Sequence, residues 1–105
     1  MRILFDQGTP VPLRKLLSPH SVETASELGW SQLSNGDLIS AAEGDGYEAL
    51  ITTDKSFRYQ QNLAHRKIGI NVLSTTSWPK IRSSPDKVLS AINSLQDSSF
   101  IEVVF

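Results

Sequence analysis

Ala49-Leu50-Ile51-Thr52-Thr53 is apolar or β-branched throughout and stops at Asp54. A short run with no polar alternation, bounded by turn-forming residues, predicts a strand buried on both faces. Two more segments share this form. Arg2-Ile3-Leu4-Phe5 stops abruptly at Asp6, and Ile68-Gly69-Ile70-Asn71-Val72-Leu73 is a third strong strand. Between and beyond them the pattern turns helical. Thr9 or Pro10 opens a helix through Val11, Leu13, Leu16 and Leu17, ended by Ser18-Pro19. After the Asn35-Gly36 loop, Asp37, Leu38, Ile39, Ala41 and Ala42 trace a helix face that ends at Gly44 and Gly46. Helical signals return over 57–63, and a last helix begins at Pro85 and runs through Val88, Leu89, Ile92 and Leu95. Residues 21–25 form a brief, weak strand candidate, and 100–105 alternate like a closing strand. Fully apolar strands separated by helices imply a largely parallel sheet covered on both faces, an α/β sandwich.

The whole chain fits one domain, 1–105, because 105 residues with 39% hydrophobic content supply one core and not two. No cysteine is present, which excludes disulfide frameworks, thiol nucleophiles and Cys-ligated metal centres. No apolar run approaches the roughly 20 residues that span a bilayer, and the N-terminus lacks the shape of a signal peptide, so the cytoplasm is the expected location. A net charge of −1 gives no global field for nucleic acid, so such binding needs a local patch.

In an open parallel sheet, ligands gather outside the carboxyl ends of the strands. Asp6 and Asp54 each follow a strand directly, and Asp37 opens a covering helix that reaches the same edge. An aspartate after one strand is commonly a turn former or a helix cap. Two on adjacent strands plus an acidic helix start suggest more. Three ionised carboxylates repel, and a divalent cation that prefers oxygen ligands, Mg²⁺ or Mn²⁺, resolves the repulsion. Such a cation activates water against a phosphodiester.

Ile3-Leu4-Phe5-Asp6, Asn35-Gly36-Asp37-Leu38-Ile39-Ser40-Ala41-Ala42 and Leu50-Ile51-Thr52-Thr53-Asp54-Lys55-Ser56-Phe57 together resemble the acidic signature of PIN-like domains. The nearest resemblance is to a short PIN-like family often encoded as the toxin of toxin–antitoxin pairs, and it spans essentially the whole chain. It implies a three-layer α/β/α fold, metal-dependent endoribonuclease activity, a homodimer and a cognate antitoxin. Asp6, Asp37 and Asp54 match the first three metal-binding acids of that signature. This chain departs from it twice: Ser74-Thr75-Thr76-Ser77 follows Leu73 where a fourth acid is common, and Gln7 stands where many relatives carry a second acid. Fewer carboxylates imply a more weakly held metal.

Around these acids, Gln7, Thr53, Lys55, Arg58 and Tyr59 are the candidate RNA-binding residues. Lys55 and Arg58 would hold phosphate, and Tyr59 would stack on a base. Gly8 permits a turn that brings backbone N–H groups toward Asp6. Arg14-Lys15 and Arg66-Lys67 are candidates for a local basic patch, against the plainer reading of solvated pairs. His20 and His65 lack partners at metal-ligand spacing, which argues against zinc. Trp30 and Trp78 read as packing residues. Gly44-Asp45-Gly46-Tyr47-Glu48-Ala49 fits the dinucleotide fingerprint by letter, but it lies between a helix and a following strand, the wrong order for that motif.

Two other functions compete. A PIN-like scaffold without catalysis would serve as a binding module. A receiver-like phospho-acceptor also places aspartates at strand ends, but it needs an acidic pair after the first strand and a lysine after the last; Gln7 and the end at Phe105 supply neither. The apolar closing segment would be an edge strand needing cover, which a partner chain or antitoxin segment would provide.

Overall fold

A computed structural model describes residues 1–59, 66–95 and 100–105, with the side chains of Arg58 and Tyr59 outside that description. The apolar stretch at Ala49–Thr52 is strand β3 of a five-stranded sheet, counted in chain order with β1 (Arg2–Phe5), β2 (Ser21–Thr24), β4 (Gly69–Leu73) and β5 (Phe100–Val103). The strand order is β2-β1-β3-β4-β5, and every neighbouring pair is parallel. Leu50 pairs in register with Leu4 of β1 and Ile70 of β4.

The absence of polar alternation now has its cause. Ile3, Phe5, Ala49, Ile51, Leu73 and Val103 point to one layer, where they meet Leu13 of helix α1 (Leu13–Leu16), Ile81 of α3 (Trp78–Arg82) and Val88 and Ile92 of α4 (Pro85–Asn93). Leu4, Leu50, Ile70 and Val72 point to the other, against Leu38, Ile39 and Ala42 of α2 (Asn35–Gly44) and Phe57. A parallel strand covered on both sides has no wet face to make polar. Leu50 and Ile51 are wholly buried, and truncating either to alanine is expected to cost about 2–5 kcal/mol. The result is an α/β fold in three layers.

The helices depart from expectation in detail. The segment expected to be helical over 9–17 is α-helical only at Leu13–Leu16. Thr9 is drawn to the sheet, its buried hydroxyl donating to the Ile51 carbonyl at 3.0 Å. Pro10 and Pro12 have no N–H, and the next amides reach back only three residues, Leu13 to Pro10 and Arg14 to Val11. Helix α3 was not foreseen. It is a single turn of five residues with Pro79 near its start, too short for a periodic pattern. The last helix ends at Asn93, and β5 ends at Val103. The helical signal over 57–63 corresponds to a 3-10 turn at Lys55–Tyr59; the remainder lies outside the described residues.

Trp30 packs edge-on against Tyr47, with centroids 6.2 Å apart, and Trp78 packs against the first core layer. The Gly44–Ala49 segment joins α2 to β3, helix first, and Gly46 has a φ of 86°. It is a loop. Among the described residues, no helix is long and apolar enough to cross a membrane.

Candidate functional site

In the order 2-1-3-4-5, the chain leaves β1 toward one side of the sheet and places β3 on the other. The crevice outside the carboxyl ends of β1 and β3 is the topological switch point, where doubly wound sheets bind ligands. Asp6 and Asp54 stand at those two ends.

Asp6 continues the ladder by one bond, its N–H donating to the Ile51 carbonyl at 2.9 Å, and the chain then turns through Gly8, whose φ is 86°. One carboxylate oxygen of Asp6 accepts the Gln7 N–H at 2.8 Å, and the other accepts the Thr52 hydroxyl at 2.9 Å. Thr52 is wholly buried, and its oxygen in turn accepts the Asp54 N–H at 3.0 Å. One hydroxyl therefore ties both aspartates to the end of β3. On the far side, Asp54 Oδ1 accepts the Ser56 N–H at 2.9 Å, an Asx turn that starts the 3-10 segment. Asp54 Oδ2 accepts the Asn35 side-chain amide at 3.3 Å, and that amide also donates to Ser56 Oγ at 3.0 Å. Asn35 is the first residue of α2, so β1, β3 and α2 are linked at one edge.

These environments push the two carboxyls in opposite directions. Burial raises Asp6 above the ordinary aspartate range, with the nearby Asp54 charge adding to it against the Thr52 and Gln7 hydrogen bonds. Hydrogen bonds from Ser56 hold Asp54 below that range, and Asn35 assists. Paired carboxyls with separated affinities for protons are a recurring feature of acid–base sites.

The structure thus brings Asp6 and Asp54 together. Asp37 lies on the exposed first turn of α2, where its N–H donates to the Ser34 cap hydroxyl at 3.3 Å. Among the described residues, no group of three or more His, Cys, Asp or Glu comes together to hold a metal ion. Two carboxylates with all-oxygen chemistry still fit a cation such as Mg²⁺, which is usually held by one or two carboxylates and keeps several waters. Burial, and to a smaller extent the Asp54 charge, disfavours the ionised Asp6 carboxyl, and a bound cation would offset both.

Gln7 and Lys55 are exposed at this edge. Thr53 packs against the Asp6 turn so closely that a Cβ at Gly8 would lie 2.8 Å from Thr53 Oγ1. The side chains of Arg58 and Tyr59, and all of His65, lie outside the described residues. The arginines of the two basic pairs are engaged by carboxylates. Arg66 pairs with Glu43 at 2.9 Å, at the opposite end of α2, and Arg14 pairs with Glu27 at 2.5 Å. The hydroxyls after β4 are engaged elsewhere: Ser74 Oγ accepts the Phe105 N–H at 3.0 Å, and Thr75 Oγ1 accepts the Ser77 N–H at 3.0 Å.

Sequence reasoning missed Thr52 and Asn35. Thr52 reads as one more β-branched strand residue, and only its position two before Asp54 hints at a role. Asn35 reads as a loop former. Compared with known proteins, the chain matches no family model, no curated protein and no solved structure.

Proposed function

We propose that the chain is a metal-dependent endoribonuclease whose site is the edge formed by Asp6 and Asp54. The observation that carries this reading is the Thr52 hydroxyl, which donates to the Asp6 carboxylate and accepts the Asp54 N–H at the switch point of the parallel sheet. Mg²⁺ or Mn²⁺ held by Asp6 and Asp54, with Asp37 on the adjoining helix turn as an outer ligand through water, would acidify a water and offset phosphoryl charge. Asp54, kept ionised by Ser56 and Asn35, supplies fixed negative charge. Asp6, its carboxylate fixed by the Thr52 hydroxyl and the Gln7 N–H, would hold the cation from the β1 side. Thr52 is a positioning residue that fixes the Asp6 carboxylate. Lys55, Gln7 and Thr53, with Arg58 and Tyr59, would contact single-stranded RNA. The resemblance to toxin families supports a cytoplasmic toxin role, with a cognate antitoxin and a homodimeric assembly.

The direct test is cleavage of labelled single-stranded RNA with millimolar Mg²⁺ or Mn²⁺. Cleavage that chelation stops and Asp54→Asn abolishes supports the reading. RNA binding without cleavage instead indicates a catalytically silent binding module, a reading favoured by the finding that, among the described residues, no three His, Cys, Asp or Glu gather to hold a metal ion directly.

The strand order and Asp54 at the end of β3 also suit a phospho-acceptor. Against it, Gln7 stands where that fold needs a second acid. Stable phosphorylation of Asp54 by acetyl phosphate would reverse that judgement.

A further inference from the structure

Beside Asp6, on the β2 side of the strand ends, the surface opens into a cavity of about 200 Å³. One wall is the turn after β2. Thr24 N–H donates to Glu27 Oε1 at 2.9 Å, Glu27 N–H returns a bond to Thr24 Oγ1 at 3.1 Å, and Arg14 of α1 grips the same carboxylate. This reciprocal pattern is that of a capping box. The opposite wall is the turn after β1, held by the close approach of Gly8 to Thr53 and by the Thr9 hydroxyl on Ile51. Both walls are braced before any ligand arrives, and such preorganisation spares the ordering cost of binding.

The lining has a definite chemistry. Val11, 54% exposed, and the buried Ala25 give it an apolar surface. The side-chain amide of Gln7 and the hydroxyl of Ser26 line it too, and among the described residues neither has a partner within the chain. Asp6 lines it as well, so a phosphodiester at the proposed cation edge would lie beside it. The volume equals that of roughly six or seven waters, too small for a duplex and suited to one splayed heterocycle. A flat ring against Val11, with a hydrogen-bonding edge toward Gln7 and Ser26, next to a phosphate, describes a nucleobase.

We propose that this cavity holds the base of the nucleotide adjoining the cleaved phosphodiester, with Gln7 and Ser26 reading its edge. The proposal rests on the nuclease reading of Asp6 and Asp54, and adds to it that the enzyme discriminates among bases at that one position.

The test is a titration of the full chain with each of the four ribonucleoside 5′-monophosphates, and with ribose 5-phosphate as the baseless control, followed by backbone amide NMR. The expected result is saturable shifts at residues 7, 8, 25 and 26, with a preference of about threefold or more among the bases. Gln7→Ala should weaken binding about three- to tenfold, the worth of one hydrogen bond. Ser26→Trp, at an exposed rim position, should fill the cavity and abolish the shifts while its melting curve stays close to that of the parent. Shifts that are absent, or equal for ribose 5-phosphate and intact in Ser26→Trp, would overturn the proposal. The titration needs no cleavage, so the two readings fail separately. Nucleotides bound in the cavity of a chain that leaves RNA intact would remove the nuclease and keep the cavity. RNA cleaved without base preference, equally by Ser26→Trp, would remove the cavity and keep the nuclease.

Discussion

The buried hydroxyl of Thr52 donates to Asp6 Oδ2 at 2.9 Å, fixing a carboxylate on β1 from the end of β3. The same oxygen accepts the Asp54 N–H, so this one atom also anchors the Asp54 backbone at the end of β3. Thr52→Val keeps the shape and removes both bonds. We expect a loss of about 1–3 kcal/mol in urea unfolding, because the Asp54 N–H and Asp6 Oδ2 lose their partner. Carboxyl ¹³C titration should show Asp6 rising further, since a bond to its ionised form is gone.

The opposed carboxyl shifts give stability effects of opposite sign in chelator-treated protein. Asp6 has its folded pKa raised above its ordinary 3.8, so its contribution is fully present below that value and is lost as pH rises through the folded pKa. Asp6→Asn should therefore melt higher than the parent near neutrality, with the difference shrinking toward acid. Asp54 has its folded pKa depressed, so its contribution is present above 3.8 and is lost as pH falls through the folded value. Asp54→Asn should melt lower than the parent near neutrality and converge with it in acid. Melting temperatures of the three proteins between about pH 3 and pH 7 check both signs.

Asn71 is wholly buried on β4 between Ile51 and Ile101, and among the described residues neither its side-chain oxygen nor its side-chain nitrogen has a hydrogen-bond partner. A buried amide without partners costs about 1–3 kcal/mol relative to an apolar group of similar shape. Asn71→Leu should stabilise the chain by an amount of that order in urea unfolding, and leave RNA cleavage unchanged because Asn71 faces the α3 and α4 layer.

Gly8 has a φ of 86°, a conformation that L side chains rarely adopt, and a Cβ there would press on Thr53 Oγ1. Gly8→Ala should cost about 1–2 kcal/mol from backbone strain alone. It should also displace the turn that carries Asp6, so activity should fall further than the loss of folded protein explains; the ratio of initial cleavage rate to folded fraction measures this.

The sheet was legible because burial on both faces leaves a simple mark, an unbroken apolar run such as Leu50-Ile51 that ends at a polar residue. The same rule put Asp6 and Asp54 at strand ends, the edge where parallel sheets gather ligands. What the chain did not reveal depends on contacts distant in sequence. Thr52 acts across 46 positions on Asp6, and Asn35 across 19 on Asp54. Neither contact leaves a local pattern. The short α1 was overextended for a related reason: its apolar spacing is helical, but Thr9 is captured by the sheet and two prolines withhold their amides. Asp37 is a candidate because it opens a covering helix and matches an acid of the PIN-like signature. In the folded chain it occupies the exposed helix turn, while the neighbouring Asn35 makes the contact to Asp54.

The central claim is that Asp6 and Asp54 form one cation-holding edge, and Mn²⁺ titration followed by paramagnetic broadening of backbone amides tests it most directly. Amides at 6–8, at 35 and at 52–56 should broaden first, and Asp6→Asn combined with Asp54→Asn should abolish this. No broadening there, or broadening centred instead on Glu43, Asp45 and Glu48 at the opposite end of the sheet, would contradict it.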